Sequence, residues 1–335
     1  MRVLAGDIGG TKTHLALAEI TPKGIRVLSH KRYQSRGFRD LDSILDAFVS
    51  EVGSGFERAG FGVAGPVVDG ACKATNLPWL VDERDIAKRF GTPARLVNDF
   101  FAVAIGVEAL RETDLVVINP GETAPHAPKA ILGAGTGLGE AFLVWTGSRY
   151  AVVPSEGGHK DFAPRNEREI GLLRELIVRH GRVSYERVVS GKGLVEVYAY
   201  LRDSGAAPES ATIRAEIEAG ADVGAVVGAH ALAGDDPLCT ATMELFVDAL
   251  GAEAGNLALG SIARGGVYLA GGIAPKILPL LTNGRFREAF VHKGRLRPLL
   301  ESIPLSVVVH PNVGLLGAGL VAMNDAPGSG PRGHE

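Results

Sequence analysis

A two-domain α/β protein is predicted by three features of the sequence: its length, a glycine cluster that recurs after two separate apolar runs, and the alternation of strand-like and helix-like segments around both clusters. At 335 residues the chain exceeds one comfortable core and fits about two domains of ordinary size. Gly6-Asp7-Ile8-Gly9-Gly10-Thr11 follows the apolar run Val3-Leu4-Ala5. Far downstream, Gly133-Ala134-Gly135-Thr136-Gly137-Leu138-Gly139 follows Ala130-Ile131-Leu132 and runs into Ala141-Phe142-Leu143-Val144-Trp145. Two strand–glycine–strand units point to an internal duplication.

The elements follow in order from local signals. Val3-Leu4-Ala5 and Thr13-His14-Leu15-Ala16-Leu17-Ala18 predict two strands, and Ile25-Arg26-Val27-Leu28 a third after the Pro22-Lys23-Gly24 turn, so the chain opens as a hairpin meander. Leu41, Ile44, Leu45, Phe48, Val49 and Val52 recur at helical spacing behind Asp40, a residue suited to cap a helix. Phe61-Gly62-Val63-Ala64-Gly65-Pro66-Val67 reads as a buried strand ending in a turn. After a short helix, Ala94-Arg95-Leu96-Val97 reads as another strand, leading straight into Asn98-Asp99. A helix is expected from Phe100 to Leu110, and Arg111-Glu112-Thr113-Asp114 is the first polar break suited to a domain boundary.

In the second domain, Leu115-Val116-Val117-Ile118-Asn119 and Ala130-Ile131-Leu132 predict strands. Asn166 and Glu169 form a capping box opening a helix through Leu173, Leu176 and Ile177, which Gly181 closes. Ser190 caps a helix through Leu201, residues 241–263 form a long apolar helix, and Val267-Tyr268-Leu269-Ala270 is a strand before Gly271-Gly272. Small residues then begin a further helix. Gly314 to Met323 reads as a small-faced helix suited to packing against the first domain, and Asn324 to Glu335 as a disordered tail. The expected division is residues 1–110 with 312–324 as a small α/β domain, 111–311 as a large α+β domain, and 325–335 as a flexible tail.

Composition excludes several classes. With 46% hydrophobic and 22% charged residues the chain lacks the signature of disorder, and a net charge of −3 offers no footprint for DNA or RNA. No stretch reaches the roughly 18 apolar residues of a membrane helix, and the N-terminal apolar run is too short for a signal peptide, so a cytoplasmic protein without a membrane partner is expected. Cys72 and Cys239 lie far apart without metal-ligand spacing, which suits buried structural thiols.

A strand that ends in a carboxylate and then in glycines presents a Mg²⁺-seeking group, frees backbone N–H groups for phosphate and lets the chain turn tightly. Asp7 is placed to hold Mg²⁺ through water; it is equally a residue that forms turns, and Gly-Gly between apolar runs is also an ordinary hairpin signal. The Rossmann spacing fails, since from Gly133 the third glycine position is Leu138 and from Gly135 it is Glu140. A Walker loop fails too, because Gly191-Lys192 is followed by Gly193. Nucleotide binding therefore has to rest on hairpin-borne phosphate loops.

Taken with Asn98-Asp99, Glu156-Gly157-Gly158-His159, Glu186 before Ser190-Gly191-Lys192-Gly193-Leu194, and Leu269-Ala270-Gly271-Gly272-Ile273, the two loops give the chain a resemblance to bacterial glucokinases, within the sugar kinase, actin and heat-shock ATPase superfamily. The match runs over nearly the whole length. It implies two ribonuclease-H-like lobes, the actin-like ATPase fold, around a central cleft, with Mg-ATP at its base, glucose at its mouth and a homodimeric assembly. ATP would lie between Gly6, Asp7, Ile8, Gly9, Gly10 and Thr11 on one side and Gly133, Gly135, Thr136 and Gly137 on the other, with Gly271 and Gly272 bordering the adenosine. Lys12 stands where many bacterial glucokinases carry Asn, which leaves its role open.

The resemblance makes Asp99 the general base on O6 and Asn98 its neighbour on the ring hydroxyls, with Glu156, His159 and Glu186 the contacts around C1 to C3. As residues alone, each has a plainer reading. Asp99 suits a helix cap, and the same helix dipole would keep it ionised. Glu156 and His159 suit a solvated turn, being too few ligands for structural zinc. Glu186 suits a surface ion pair. The expected reaction is transfer of phosphate from ATP to O6 of D-glucose; a kinase of mannose or of an N-acetylated hexose, and a non-catalytic sugar- or nucleotide-sensing module, are the alternatives. The absence of a helix-turn-helix extension before Val3 argues against a repressor.

Overall fold

The computed structural model of the chain describes residues 1–22, 24–75 and 77–323. The turn residue Lys23 and the tail expected from Asn324 lie outside them. The chain divides into two compact units, Met1–Thr113 with the segment from His310, and Asp114–Val309.

In the first unit, β1 (Arg2–Ile8), β2 (Lys12–Thr21), β3 (Gly24–Gln34), β4 (Arg58–Val63) and β7 (Ala94–Asn98) form a five-stranded sheet in the order β3-β2-β1-β4-β7. The first three strands pair antiparallel, while β4 runs parallel to β1 and β7 parallel to β4. A separate hairpin joins β5 (Ala71–Lys73) and β6 (Leu80–Asp82). Side chains alternate across a strand, so β1 sends large Leu4 and Ile8 to one face and small Ala5 to the other. Under the large face lies α1 (Leu41–Val52), whose Leu41, Ile44, Leu45 and Phe48 share a core with Leu4, Leu15 and Phe61. Asp40 caps α1 by accepting the Ser43 N–H. The helix α2 (Glu83–Phe90) completes the crossover from β4 to β7, and α3 (Asp99–Gly106) follows β7.

On the small face, Ala5 and Ala16 meet Leu315 and Ala318 of the C-terminal helix Val313–Val321. That helix also packs on α3 at backbone distance. A Cβ on Gly317 would overlap the Ala102 carbonyl oxygen and lie 2.7 Å from the Ala102 carbonyl carbon and 2.9 Å from Gly106 N. Both helices would have to separate, so Gly317→Ala is expected to lower stability by about 1–3 kcal/mol in urea unfolding, the usual cost of overpacking.

The second unit carries β8 (Leu115–Asn119), β9 (Lys129–Ala134), β10 (Leu138–Trp145), β11 (Tyr150–Ser155), β12 (Val267–Ala270) and β13 (Leu305–Val308), in the order β11-β10-β9-β12-β13-β8. Here too three strands form an antiparallel meander, after which β12 runs parallel to β9 and β13 parallel to β12. The five strands of the first sheet thus recur in order and direction, with β8 added antiparallel at the edge. The internal duplication expected from the glycine clusters is present in the strand topology, and each cluster occupies the same turn of its repeat.

Helices α4 (Glu167–His180), α5 (Gly191–Asp203), α6 (Ala211–Glu218), α7 (Val223–Ala233), α8 (Pro237–Ser261), α9 (Leu278–Thr282), α10 (Arg285–Val291) and α11 (Arg297–Ser302) enclose this sheet. Its core centres on α8, with Phe246, Leu250, Ala254 and Leu257 buried. Asn166 caps α4 by accepting the Glu169 N–H at 3.0 Å, and Ser190 caps α5 through the Gly193 N–H at 3.0 Å. The return half of the capping box is displaced by one residue, because Glu169 accepts the Arg165 N–H at 2.7 Å and pairs with that guanidinium. Several expectations are corrected in detail. The strand expected to Val67 ends at Val63, α3 gives way after Gly106 to a 3-10 turn, the long helix expected over 241–263 spans Pro237–Ser261, and β5, β6, β11, β13, α6, α7, α10 and α11 are additional. Among the described residues no helix is long and apolar enough to cross a membrane.

Candidate active site

In the first unit the parallel strands end in register, Ile8 beside Val63 and Val63 beside Asn98. Asp7, the Gly9-Gly10 turn and Asn98-Asp99 therefore share the carboxyl edge of the sheet, where open α/β sheets bind ligands. The glycine run is the hairpin turn between β1 and β2, closed by the Gly9 N–H donating to the Lys12 carbonyl at 3.0 Å. Hairpin and candidate phosphate loop are one structure. Ser35, which carried no local signal in the sequence, braces it from the end of β3. Fully buried, its hydroxyl donates to the Gly9 carbonyl at 2.8 Å and lies 3.0 Å from Thr13 Oγ1, and its N–H donates to the Thr11 carbonyl at 2.9 Å. Lys12 is exposed.

The cap of α3 is Asn98, not Asp99. Asn98 Oδ1 accepts from Phe100 N at 2.9 Å and Phe101 N at 3.3 Å, and its amide donates to the Gly65 carbonyl at 3.1 Å. Asp99 Oδ1 also accepts the Phe100 N–H, at 2.9 Å. The helix dipole, expected to keep Asp99 ionised, is opposed by burial. Burial pushes its carboxyl up, and the hydrogen bonds from Phe100 and Asn98 only partly oppose that. Asp7 is driven up to about 6, by burial first and then by the charge of Asp99. Two carboxylates that repel in this way fit a cation between them and phosphate. No group of three or more His, Cys, Asp or Glu able to hold a metal occurs among the described residues.

In the second unit the later glycine run turns β9 into β10, with Ala134 paired to Leu138 and the Gly135 N–H donating to the Gly137 carbonyl at 2.8 Å. The start of α5 and the turn after β12 hold it, since Gly191 N donates to the Gly135 carbonyl at 2.8 Å and Ile273 N to the Ala134 carbonyl at 3.2 Å. Gly271, at φ +86°, lies directly against Ala134. Thr136 is exposed at the tip. Glu186 is no surface ion-pair partner: its Oε2 accepts the Leu138 N–H at 3.0 Å, over the space left by Gly137. The segment expected to contact sugar is thereby joined to the segment expected to contact phosphate.

Glu156 and His159 bracket a 3-10 turn, Gly157–His159, directly after β11. Their side chains are 93% and 58% exposed, and the 3.9 Å between Nε2 and Oε2 is too long for a hydrogen bond, so both polar ends remain available to a ligand. Arg182, which sequence reasoning passed over, anchors this turn by donating from Nη2 to the His159 carbonyl at 2.5 Å while pairing with Asp161.

A duplicated sheet with a glycine hairpin at the same turn of each repeat is the architecture of the actin-like ATPase fold. The glucokinase family model matches residues 4–325. The glucokinase of Trichormus variabilis is 47% identical over 336 residues, covering 96% of this chain and 98% of that protein. Among solved structures, glucokinase from an Antarctic psychrotroph aligns with a TM-score of 0.86 at 32% identity, over 97% of this chain and 99% of its own. Glucokinase of Balamuthia mandrillaris, crystallised in complex with glucose, aligns with a TM-score of 0.78 at 25% identity, over 96% and 94%. The chain belongs to the glucokinase family, whose reaction is the ATP-dependent phosphorylation of glucose.

Proposed function

We propose that the chain carries out this transfer at O6 of D-glucose with Asp99 as general base. The observation that carries the assignment is the environment of Asp99: half-buried at a strand end, fixed by a backbone N–H, and with its carboxyl pushed up by burial. A carboxylate so raised is a better proton acceptor than an exposed one, yet remains far less basic than an alkoxide. In a loose phosphoryl-transfer transition state it therefore orients the hydroxyl and takes its proton late, as the bond to phosphorus forms. Asn98, its amide held by the Gly65 carbonyl, stands beside Asp99 as the contact to a ring hydroxyl. Glu156, His159 and Glu186 supply acceptors and an imidazole to the remaining hydroxyls. The two glycine hairpins offer backbone N–H groups to the phosphates, with Gly271 and Gly272 beside the nucleoside. Mg²⁺, held through water by Asp7, would neutralise phosphate charge. The setting is cytoplasmic, where ATP and free sugar meet, and the assembly a homodimer; nucleic acid and membrane have no part in the reaction.

A coupled assay of hexose-dependent ADP release tests the assignment. Glucose is expected to stimulate release strongly, with mannose and N-acetylglucosamine weaker, and chelation of Mg²⁺ to abolish it. Flat ADP release with every hexose would remove the kinase reading.

A further inference from the structure

Behind the Glu156–His159 turn lies an ionic cluster that the proposed chemistry does not itself use. Glu140, on β10, and Glu253, on α8, have side chains with 0% exposure. Between them sits the ammonium of Lys160, the residue after His159, at 3.0 Å from Glu140 Oε2 and 2.7 Å from Glu253 Oε1. Gly157 rests on the Glu140 carboxylate so closely that a Cβ there would overlap Oε2. Neither oxygen of Glu140 nor Glu253 Oε1 receives a hydrogen bond, so the Lys160 ammonium meets both carboxylates as a charge.

The cluster extends to the second sugar-contact segment. Tyr185 N, just before Glu186, donates to the Lys160 carbonyl at 2.9 Å. Asn256, three residues beyond Glu253 on α8, donates from Nδ2 to Tyr185 Oη at 3.0 Å and to Glu253 Oε2 at 2.9 Å. Lys293 donates to Asn256 Oδ1 at 2.5 Å and to the Ala252 carbonyl at 2.9 Å. Both segments thus hang on the same turn of α8.

Resting on the hexose-kinase reading above, we propose that Lys160 is a positioning residue for the sugar: by neutralising the buried Glu140–Glu253 pair it holds the turns bearing Glu156, His159 and Glu186 in their working places. Truncating one partner of a buried ion cluster leaves the other charges uncompensated, which is far more disruptive than losing an exposed pair. A lysine merely lying along the surface would show no dependence on Glu140.

The cluster's charge is set by Glu140, Glu253 and Lys160, with Lys293 and then Arg165 further along and the Tyr185 phenol alongside. Burial, then the charge of Glu253, pushes Glu140 up to about 7. Burial lowers Lys293 to about 8. Glu253 and Glu140 together hold the Lys160 ammonium above its ordinary range against the desolvation that opposes them. Because Glu140 is raised in the folded state, its proton is retained above the ordinary carboxyl range; the stability this contributes is fully present below that range and is lost as pH rises through about 7. Without Lys160 the transition moves higher still. While Glu140 is protonated the pair tolerates the loss of Lys160; as pH rises through that transition, Glu140 and Glu253 repel.

The test measures kcat and KM for glucose, with thermal melts, at pH 6 and pH 9 for wild type, Lys160→Met, Glu140→Gln and the double variant. Lys160→Met is expected to stay within about threefold of the wild-type KM at pH 6 and to rise about tenfold or more above it at pH 9, with kcat less affected. The double variant, neutral at both positions and leaving Glu253 with the Asn256 amide and the nearby Lys293, is expected to remain within about threefold at both pH values. An equal KM ratio at the two pH values overturns the inference, as does a folded double variant no better than Lys160→Met. Should Lys160→Met melt below assay temperature at pH 9, recovery of fold and KM by the double variant supports the inference; if neither folds, the cluster serves folding alone and the inference fails. A wild type that phosphorylates no hexose marks failure of the reaction reading, separately from a pH-independent variant of an active enzyme.

Discussion

Replacing Asp99 with Ala is expected to lower kcat with glucose by about three to four orders of magnitude, while glucose binding weakens but stays measurable by calorimetry. General-base catalysis contributes about 10²–10⁴, and loss of the orienting hydrogen bond to O6 adds to it, because an unaligned hydroxyl forfeits the advantage of a near-attack geometry. Asp99→Asn separates the two terms. The amide can still orient the hydroxyl but cannot take its proton, so its kcat should fall between wild type and Asp99→Ala. Stability should change little in either variant, since Asn98, not Asp99, caps α3 and remains to hold the Phe100 and Phe101 N–H groups. A thermal melt close to wild type alongside the loss of kcat would locate the defect in chemistry. Near-normal turnover in both variants would remove Asp99 as the base and leave the strand-end acid as a structural residue.

The pair Asn98-Asp99 also shows where sequence reasoning stops. Both residue types cap helices, and adjacent in a chain they carry the same signal; which one turns its oxygen back on the helix depends on the backbone at the end of β7. Caps without such a competitor were legible, because Asp40, Asn166 and Ser190 each act within one turn of chain. Elements lacking a periodic stripe were not. Val223–Ala233 is apolar or small almost throughout, β13 is four residues long, and β11 carries exposed Val153 and Pro154. The glycine hairpins were legible because chemistry and turn geometry demand the same residues there. Their braces were not: Ser35 reaches Gly9 from the end of β3, and Glu253 reaches Lys160 from α8, through contacts that have no local spacing. Glu140 left the one available trace, a charged residue in an otherwise apolar strand, and such a residue is informative only once its burial is known.

Gly158→Ala is expected to lower kcat/KM for glucose by about 10²–10³, the scale on which small displacements of a substrate-holding group act. Gly158 lies between Glu156 and His159, and a Cβ there would overlap the Leu138 carbonyl oxygen and lie 3.0 Å from the Leu138 carbonyl carbon and 3.1 Å from its Cβ. Unlike a clash with the end of a flexible side chain, this one cannot be relieved by a rotamer change. The strand it presses on begins at the second glycine hairpin, and the Leu138 N–H is the donor that holds Glu186. One methyl group therefore displaces the sugar turn and disturbs the Glu186 anchor together. Overpacking should also cost about 1–3 kcal/mol of stability, less than the activity loss implies, so a folded and nearly inactive enzyme is the expected result. Gly228→Ala is the control: its Cβ would meet nothing within 4 Å on the helix Val223–Ala233, and exchange of a helical Gly for Ala should stabilise by about 0.5–1 kcal/mol with turnover unchanged. If Gly158→Ala keeps wild-type kcat/KM while Gly228→Ala behaves as stated, the close approach of the turn to Leu138 is not what places Glu156 and His159, and the sugar site must be sought away from that turn.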